Sequence, residues 1–593
     1  MHVSLLKCSG LSTPQLAQSW GRRRKQQQIY YIFIFTTKSR VDNMDSRQRV
    51  FSTPELLRYI LSFVEDRYAL AASARVCTSW SDITLENLWR DHPVQPRALL
   101  SILSPMPEHR MAFSALPNSA GWARFFRYAR HVRHIAFSDV LKLPHESPSH
   151  DLLKYMVLTR PPGPILPSLS SLIWDFADTN LSFYAIMFMH ASIRSFTWRL
   201  PSGPLSAKAL SSFLDNVVWR MPNLTAFELR GGSSVREDRD ELLKLLSKLP
   251  KLVKVGLPFF FFTTEVAQVL SELPSLESIC LCKHGYFPIQ DVKQLHPTLH
   301  DTSFPCLKEL EMAIHLPQLH GVDTAWPLHN LTKLHLQEIG NLTSDMALTM
   351  ITYVCSQCPA LESLSLELRV HELHVPNEDD EDDDLDPSQE IDIEAIRPLF
   401  ELRSLKHLSI SHDRQLCLSH EDIETIAHSF KALKTVILNP EPFFTDQAIL
   451  SLGALTSFIR HCPDIEEIGL YIDGSQPPFD IWDMPAYPKS GRYLKTLQFG
   501  TSYIRDVYSV AKYLCPMIPS QCIIAPEYLY TVRIDPGWSV GDCRDRWNQV
   551  GEILSLLTAT RDEEREKTRL LQSEVDSLRL QFALIRGAPA PGP

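Results

Sequence analysis

Leu273-Pro274-Ser275-Leu276-Glu277-Ser278-Ile279-Cys280-Leu281 carries the pattern that decides the fold. Ile279 and Leu281 are apolar and flank Cys280, the alternation of a strand that turns one face to a core. Leu276 stands where the chain bends into that strand, and Pro274 stops any helix from running into the bend. The phrase recurs, with Leu169, Leu224, Leu252, Leu307, Leu331 and Leu361 in the place of Leu276, and more loosely with Leu405, Leu433, Ile465 and Leu494. Ile193 to Trp198 is a degenerate early copy, and Val132 to Phe137 reads as a still earlier strand.

No single unit of this kind can hide its apolar side, so the units must stack into one continuous core. From Leu224 onward the anchors are mostly 24 residues (Leu252 to Leu276) to 32 residues (Leu433 to Ile465) apart. Such intervals lie at or just beyond those of leucine-rich repeats, each a strand with a returning helix or extended turn. Between strands the period changes: Ile423, Ile426, Ala427 and Phe430 lie at helical spacing. The expected class is therefore α/β, a leucine-rich-repeat solenoid over residues 121–540. One gap of 44 residues, Leu361 to Leu405, holds an acidic insertion at 377–394, from Asn377-Glu378-Asp379-Asp380 through Glu390, Asp392 and Glu394. Self-repulsion makes it a solvated loop, either merely solubilising or a docking strip for a basic partner.

Ahead of the repeats, Thr53-Pro54-Glu55-Leu56-Leu57 opens an amphipathic helix. Ser52 or Thr53 is placed to cap it, and Pro54 suits a first turn that needs no amide donor. Leu57, Ile60, Leu61 and Val64 make one stripe at helical spacing. A second helix runs through Ala69 to Val76 and on into Cys77-Thr78-Ser79-Trp80, and a third covers Ile83 to Trp89. So small a unit buries little surface by itself and gains from a partner.

In Thr53–Leu57, Ile60-Leu61-Ser62-Phe63, Ala74–Trp80 and Leu88-Trp89-Arg90, residues 50–92 resemble the F-box family. Phe51 stands where that family often has leucine, and Ser52-Thr53 lengthens the stretch before the proline. The resemblance implies docking on the Skp adaptor and, through it, on a cullin-based ubiquitin ligase. By position, Pro54, Leu56, Leu57, Ile60 and Leu61 would supply much of the apolar docking surface. Val76, Cys77, Trp80, Leu88 and Trp89 would form the core or its rim. The repeats look like the longer, irregular type found in F-box proteins.

The flanks are simpler. Residues 1–49 read as a disordered leader. Met44 precedes the first module, so residues 1–43 are expected to be dispensable or to reflect a start placed too early. Prolines 93, 96, 105, 107 and 117 make 93–120 a semi-rigid linker, and Trp122 to Phe137 begins or caps the solenoid. A last strand is expected over Tyr528 to Ile534, then a helix over 546–586. There Leu571, Val575, Leu578, Phe582 and Ile585 alternate by four and three, a short coiled-coil seam or a cap folded onto the last repeat.

Composition narrows the function. With 59 basic and 69 acidic residues among 593, the formal charge is -10, without the concentrated basic surface that nucleic-acid binding needs. Ile29 to Thr37 is far shorter than a membrane span. Cys280 and Cys282, and Cys355 and Cys358, lack partner pairs at zinc spacing, so reduced thiols in the cytoplasm or nucleus are expected. No phosphate loop, nucleophile elbow or HExxH motif occurs, and His420-Glu421-Asp422 reads as a helix start. The expectation is a non-enzyme adaptor without cofactor, holding an unidentified protein substrate on its outward strand positions, among them Glu228, Glu311, His335, Ser365, Ser409 and Gln498. The rival reading is a repeat scaffold acting without ubiquitin transfer.

Overall fold

The computed structural model describes residues 50–51, 53–64, 66–90, 94–138, 148–201, 203, 206–231, 236–259, 261–286, 299–314, 326–338, 342–368, 390–443, 448–475, 493–525 and 540–585. The chain divides into two compact units, Met1–Asp91 and His92–Pro593.

In the first unit, α1 (Pro54–Ser62), α2 (Arg67–Ser73) and α3 (Thr78–Arg90) follow one another closely. Thr53 occupies the cap position of α1 without a side-chain cap bond there, and Pro54 fits a first turn that needs no amide donor. Asp66 caps α2 through the amides of Tyr68 (3.1 Å) and Ala69 (3.3 Å). The second helix ends at Ser73, and the Cys77–Trp80 stretch expected to continue it instead opens α3. Leu57, Leu61, Leu70 and Ile83 form the core, with Phe51, Val64, Trp80 and Leu88 packed against it. At about 1.5–3 kcal/mol per buried side chain, four such residues are a thin core for a unit of this size.

The second unit is built on one sheet. Among the described residues it has 14 strands, β1 (His134–Ser138) to β14 (Ile523–Ile524), hydrogen-bonded in sequence order. Every neighbouring pair is parallel, and the register carries one unbroken apolar row. It starts Ile135, Leu172, Phe196, Phe227, Val255, Ile279 and Leu310. It continues through Leu334, Leu364, Leu408, Val436, Ile468 and Leu497 to Ile524. The anchors Leu169, Leu224, Leu252, Leu276, Leu307, Leu331, Leu361, Leu405, Leu433, Ile465 and Leu494 are all buried. The stacking read from the repeats is thus the architecture: a leucine-rich-repeat solenoid. Leu281 is a local departure, only half-buried, while Cys282 beside it is buried.

Helices on many of the returning limbs close the layers. His420–Ser429 begins with a reciprocal capping box between Ser419 and Asp422 and buries Ile423, Ile426 and Ala427, as its spacing requires. At the other end of the acidic run the loop reading fails. Asp392 accepts the amides of Glu394 (3.0 Å) and Ala395 (3.1 Å) and caps the short helix Ile393–Ile396, so the run ends in folded structure. Its residues 377–389 lie outside the described residues, as do the leader 1–49 and the strand expected at 528–534.

The linker reading fails too. Residues 94–120 belong to the body of the second unit: Val94 bridges Ile135, and Leu99, Leu100, Leu103, Met111 and Phe113 are buried. Pro96 starts the helix α4 (Pro96–Leu100) rather than keeping the chain extended, and Arg97 ties it to the carbonyls of Pro107 (2.5 Å) and Glu108 (3.0 Å). With α5 (Ser119–Ala129), whose Trp122 and Phe125 are buried, this segment caps the first strand.

The far cap is the helix Val540–Ile585. Cys543, Trp547, Val550 and Leu554 are buried along one side of it. Trp547 stacks on Phe499 with ring centres 4.1 Å apart and donates its indole N–H to the Ser502 carbonyl at 2.9 Å. Arg561 closes the contact through the carbonyls of Cys515 and Ile518. From Glu563 to Phe582 the helix is exposed.

Candidate functional site: the two faces of the first helix and the outward row of the sheet

Helix α1 is apolar on two sides. Leu57 and Leu61 are 1% and 4% exposed and belong to the core of the module. Leu56, Tyr59, Ile60 and Phe63 lie at the positions three and four apart that face the other way, with exposures of 45%, 66%, 39% and 66%. Tyr59 and Phe63 meet edge to face at 4.9 Å. Tyr68 (88%) and Val76 (51%) are exposed apolar side chains on the following segments.

This corrects the docking set read from the sequence. Leu56 and Ile60 are available to a partner, as are Pro54, Val76 and Cys77 at the surface. Leu57 and Leu61 are not, since a charge there would land in the core. Trp80 is half-buried against Phe51 at 5.5 Å, and Trp89 is half-buried as well, so both serve more as frame than as contact. Tyr59 and Phe63 were missed, although counting the helical period from Leu56 instead of Leu57 reaches both. The Cys77 thiol is held below its usual range by the Ser79 hydroxyl 3.1 Å away and the Trp80 amide.

On the sheet, the register places Glu311, His335, Ser365 and Ser409 side by side on four successive strands, with Ile437 and Gly469 between them and Gln498. All six substrate-face candidates are half-buried. They are also partly spoken for within the sheet. Glu311 accepts the Leu281 amide at 2.9 Å, His335 lies 3.4 Å from Glu367, and Gln498 donates to Glu467 at 2.8 Å. Glu228 accepts from Arg230 at 2.6 Å and from the Thr197 hydroxyl at 3.3 Å.

A charged cluster missed by reading only mid-strand positions lies beside Glu228. Asp175, 1% exposed at the end of β2 (Ser171–Asp175), pairs with Arg199 at 2.7 Å and Arg230 at 2.8 Å. The signal was an arginine after the inward pair on two neighbouring strands, β3 (Ser195–Arg199) and β4 (Ala226–Arg230). Hydrogen bonds from Arg230 to Glu228 and Asp175 hold its proton more firmly than usual, against the opposing effect of burial. Two carboxylates balance two guanidiniums, so the cluster braces the sheet without presenting net charge.

Residues 54–92 match the F-box-like family model. That match covers the three helices and the exposed stripe. No curated protein matches the sequence. Among solved structures, the chain is similar to the crystal structure of the TLR13–ssRNA13 complex, with 15% identity and a TM-score of 0.27, over 63% of this chain and 56% of that one. It is also similar to the crystal structure of the Rad7 and Elc1 complex in yeast, with 13% identity and a TM-score of 0.31, over 78% of this chain and 94% of that one.

Among the described residues no group of three or more His, Cys, Asp or Glu is placed to hold a metal, and no helix is long and apolar enough to cross a membrane. Burial pushes the Cys355 and Cys358 thiols up to about 12, away from the low range of reactive cysteines.

Proposed function

We propose that this chain is a non-catalytic substrate-recognition adaptor of a Skp–cullin–F-box ubiquitin ligase. The F-box-like module docks on a Skp-family adaptor and thereby joins a cullin, while the solenoid holds a protein target. The observation that carries the reading is the stripe Leu56, Tyr59, Ile60 and Phe63: four large apolar side chains left in solvent on a helix whose opposite face already fills the core. A module with so thin a core gains stability and loses an exposed greasy surface in one step by docking. Holding ligase and target on one chain raises their effective concentration, a contribution that needs no catalytic group. The reading places the encounter in the cytoplasm or nucleus.

The test is recovery of the tagged full chain under proteasome inhibition, followed by ubiquitin transfer in the recovered assembly. A Skp-family adaptor, a cullin and a co-purifying protein whose ubiquitination requires the module are expected. Bound adaptor with no cullin-dependent transfer would instead make the chain a scaffold.

A further inference from the structure

One repeat of four and three residues runs the length of the C-terminal helix. Its positions are Cys543, Trp547, Val550, Leu554 and Leu557, then Arg561, Glu564 and Thr568, then Leu571, Val575, Leu578, Phe582 and Ile585. The first group is buried or half-buried on the last turns of the solenoid. The middle group is polar and marks where the helix departs. In the last group, Leu571, Val575, Leu578 and Phe582 are 61%, 41%, 47% and 63% exposed. A straight helix drifts by about 20° per heptad from such a strict repeat. The repeat keeps one face inward only when the helix winds around another helix.

We infer that residues 564–585 pair with the same segment of a second copy as a parallel, two-stranded coiled coil. Two features of the seam select that occupant. Val575 stands at the a position between Leu571 and Leu578 at d, the β-branched and leucine alternation that favours two parallel strands. Glu574 stands at g and Arg579 at the following e. In a parallel pair g faces e of the next heptad on the other strand, five residues on, so Glu574 of each copy meets Arg579 of the other. The charges match twice per dimer. Lys567 at the preceding g meets neutral Gln572, so no like charges oppose each other there.

The free segment spans under four heptads, and an isolated helix of that length is marginal in water. Here it grows out of a helix already fixed on the solenoid by Trp547 and Arg561, so its nucleation is complete before the partner arrives. Pairing would set two solenoids in one assembly and favour targets that offer two binding segments.

Analytical ultracentrifugation of the full chain tests this. The wild-type chain is expected at twice the mass of one chain, falling to one on dilution. Val575→Glu with Leu578→Glu should remain monomeric at every concentration and unfold at the same temperature as the diluted, monomeric wild type, because both side chains are exposed. Glu574→Arg alone or Arg579→Glu alone should weaken association about tenfold, and the two together should restore it. A wild-type chain that stays monomeric at its highest soluble concentration overturns the inference, as does a dimer that survives the seam variant. Failure of the double charge reversal to restore association overturns the parallel arrangement. The Leu56 and Ile60 stripe is untouched by these variants, so the result is independent of the proposed ligase role.

Discussion

The F-box-like module and the solenoid solve the same problem in opposite ways. The solenoid stacks strand on strand so that an apolar row from Ile135 to Leu497 is buried at every step, and several of its outward residues are bonded within the sheet. The module has three short helices and a core of four side chains, and it leaves Leu56, Tyr59, Ile60 and Phe63 outside. Repetition lets a chain bury what it carries, whereas a unit too small to do so must borrow a surface. Exposed apolar area is therefore the informative feature in the module, and polar patterning is the informative feature in the solenoid.

Mutations can break that contrast. Phe196 is fully buried between neighbouring repeats. Phe196→Ala should lower solenoid stability by about 3–5 kcal/mol, read by urea unfolding, with adaptor capture by the module unchanged. Loss of both together would mean that the two units are not independent. Leu56→Asp with Ile60→Asp should act the other way, removing about 2 kcal/mol or more of binding per side chain if each is an anchor, with the unfolding of the solenoid unmoved. Leu57→Asp is the contrast, since it should unfold the module itself.

A smaller effect sharpens the solenoid half. Asn439 sits at φ 46. It accepts the His412 amide at 3.1 Å and donates to the Arg414 carbonyl at 2.6 Å, all three residues being buried. Asn439→Ala removes both bonds and should cost about 1–3 kcal/mol, and Asn439→Gly should recover only the backbone strain.

The smallest effect is acid sensitivity. Glu309, Glu362 and Glu466 are held below the usual carboxylate range by Lys333, Lys406 and Lys495 of the next repeat. Their contribution is present above the unfolded-chain value of about 4.3 and is lost as pH falls through the lower folded value. A modest fall in melting temperature should appear only below that range and shrink in high salt, since the pairs are exposed.

How far the residues announce this structure follows from the physics of each part. The strands were legible because a period of two beside a proline-marked turn fits little besides a strand, and because repetition averages out each weak copy. The segment 94–120 was not, because prolines signal a broken helix without saying whether the pieces pack. Pro96 starts a helix that is buried. Helix α1 misled because two apolar stripes on one short helix overlap in sequence, and Ile60 reads with Leu57 until the core is seen to exclude it. Strand β14, Ile523–Ile524, was too short to show any period.

The most direct test of the docking claim is calorimetric titration of the full chain with a purified Skp-family adaptor, beside Leu56→Asp/Ile60→Asp. Saturable binding by the native chain, abolished in a variant that melts at the same temperature, is the expected result. Equal affinity in both would contradict it.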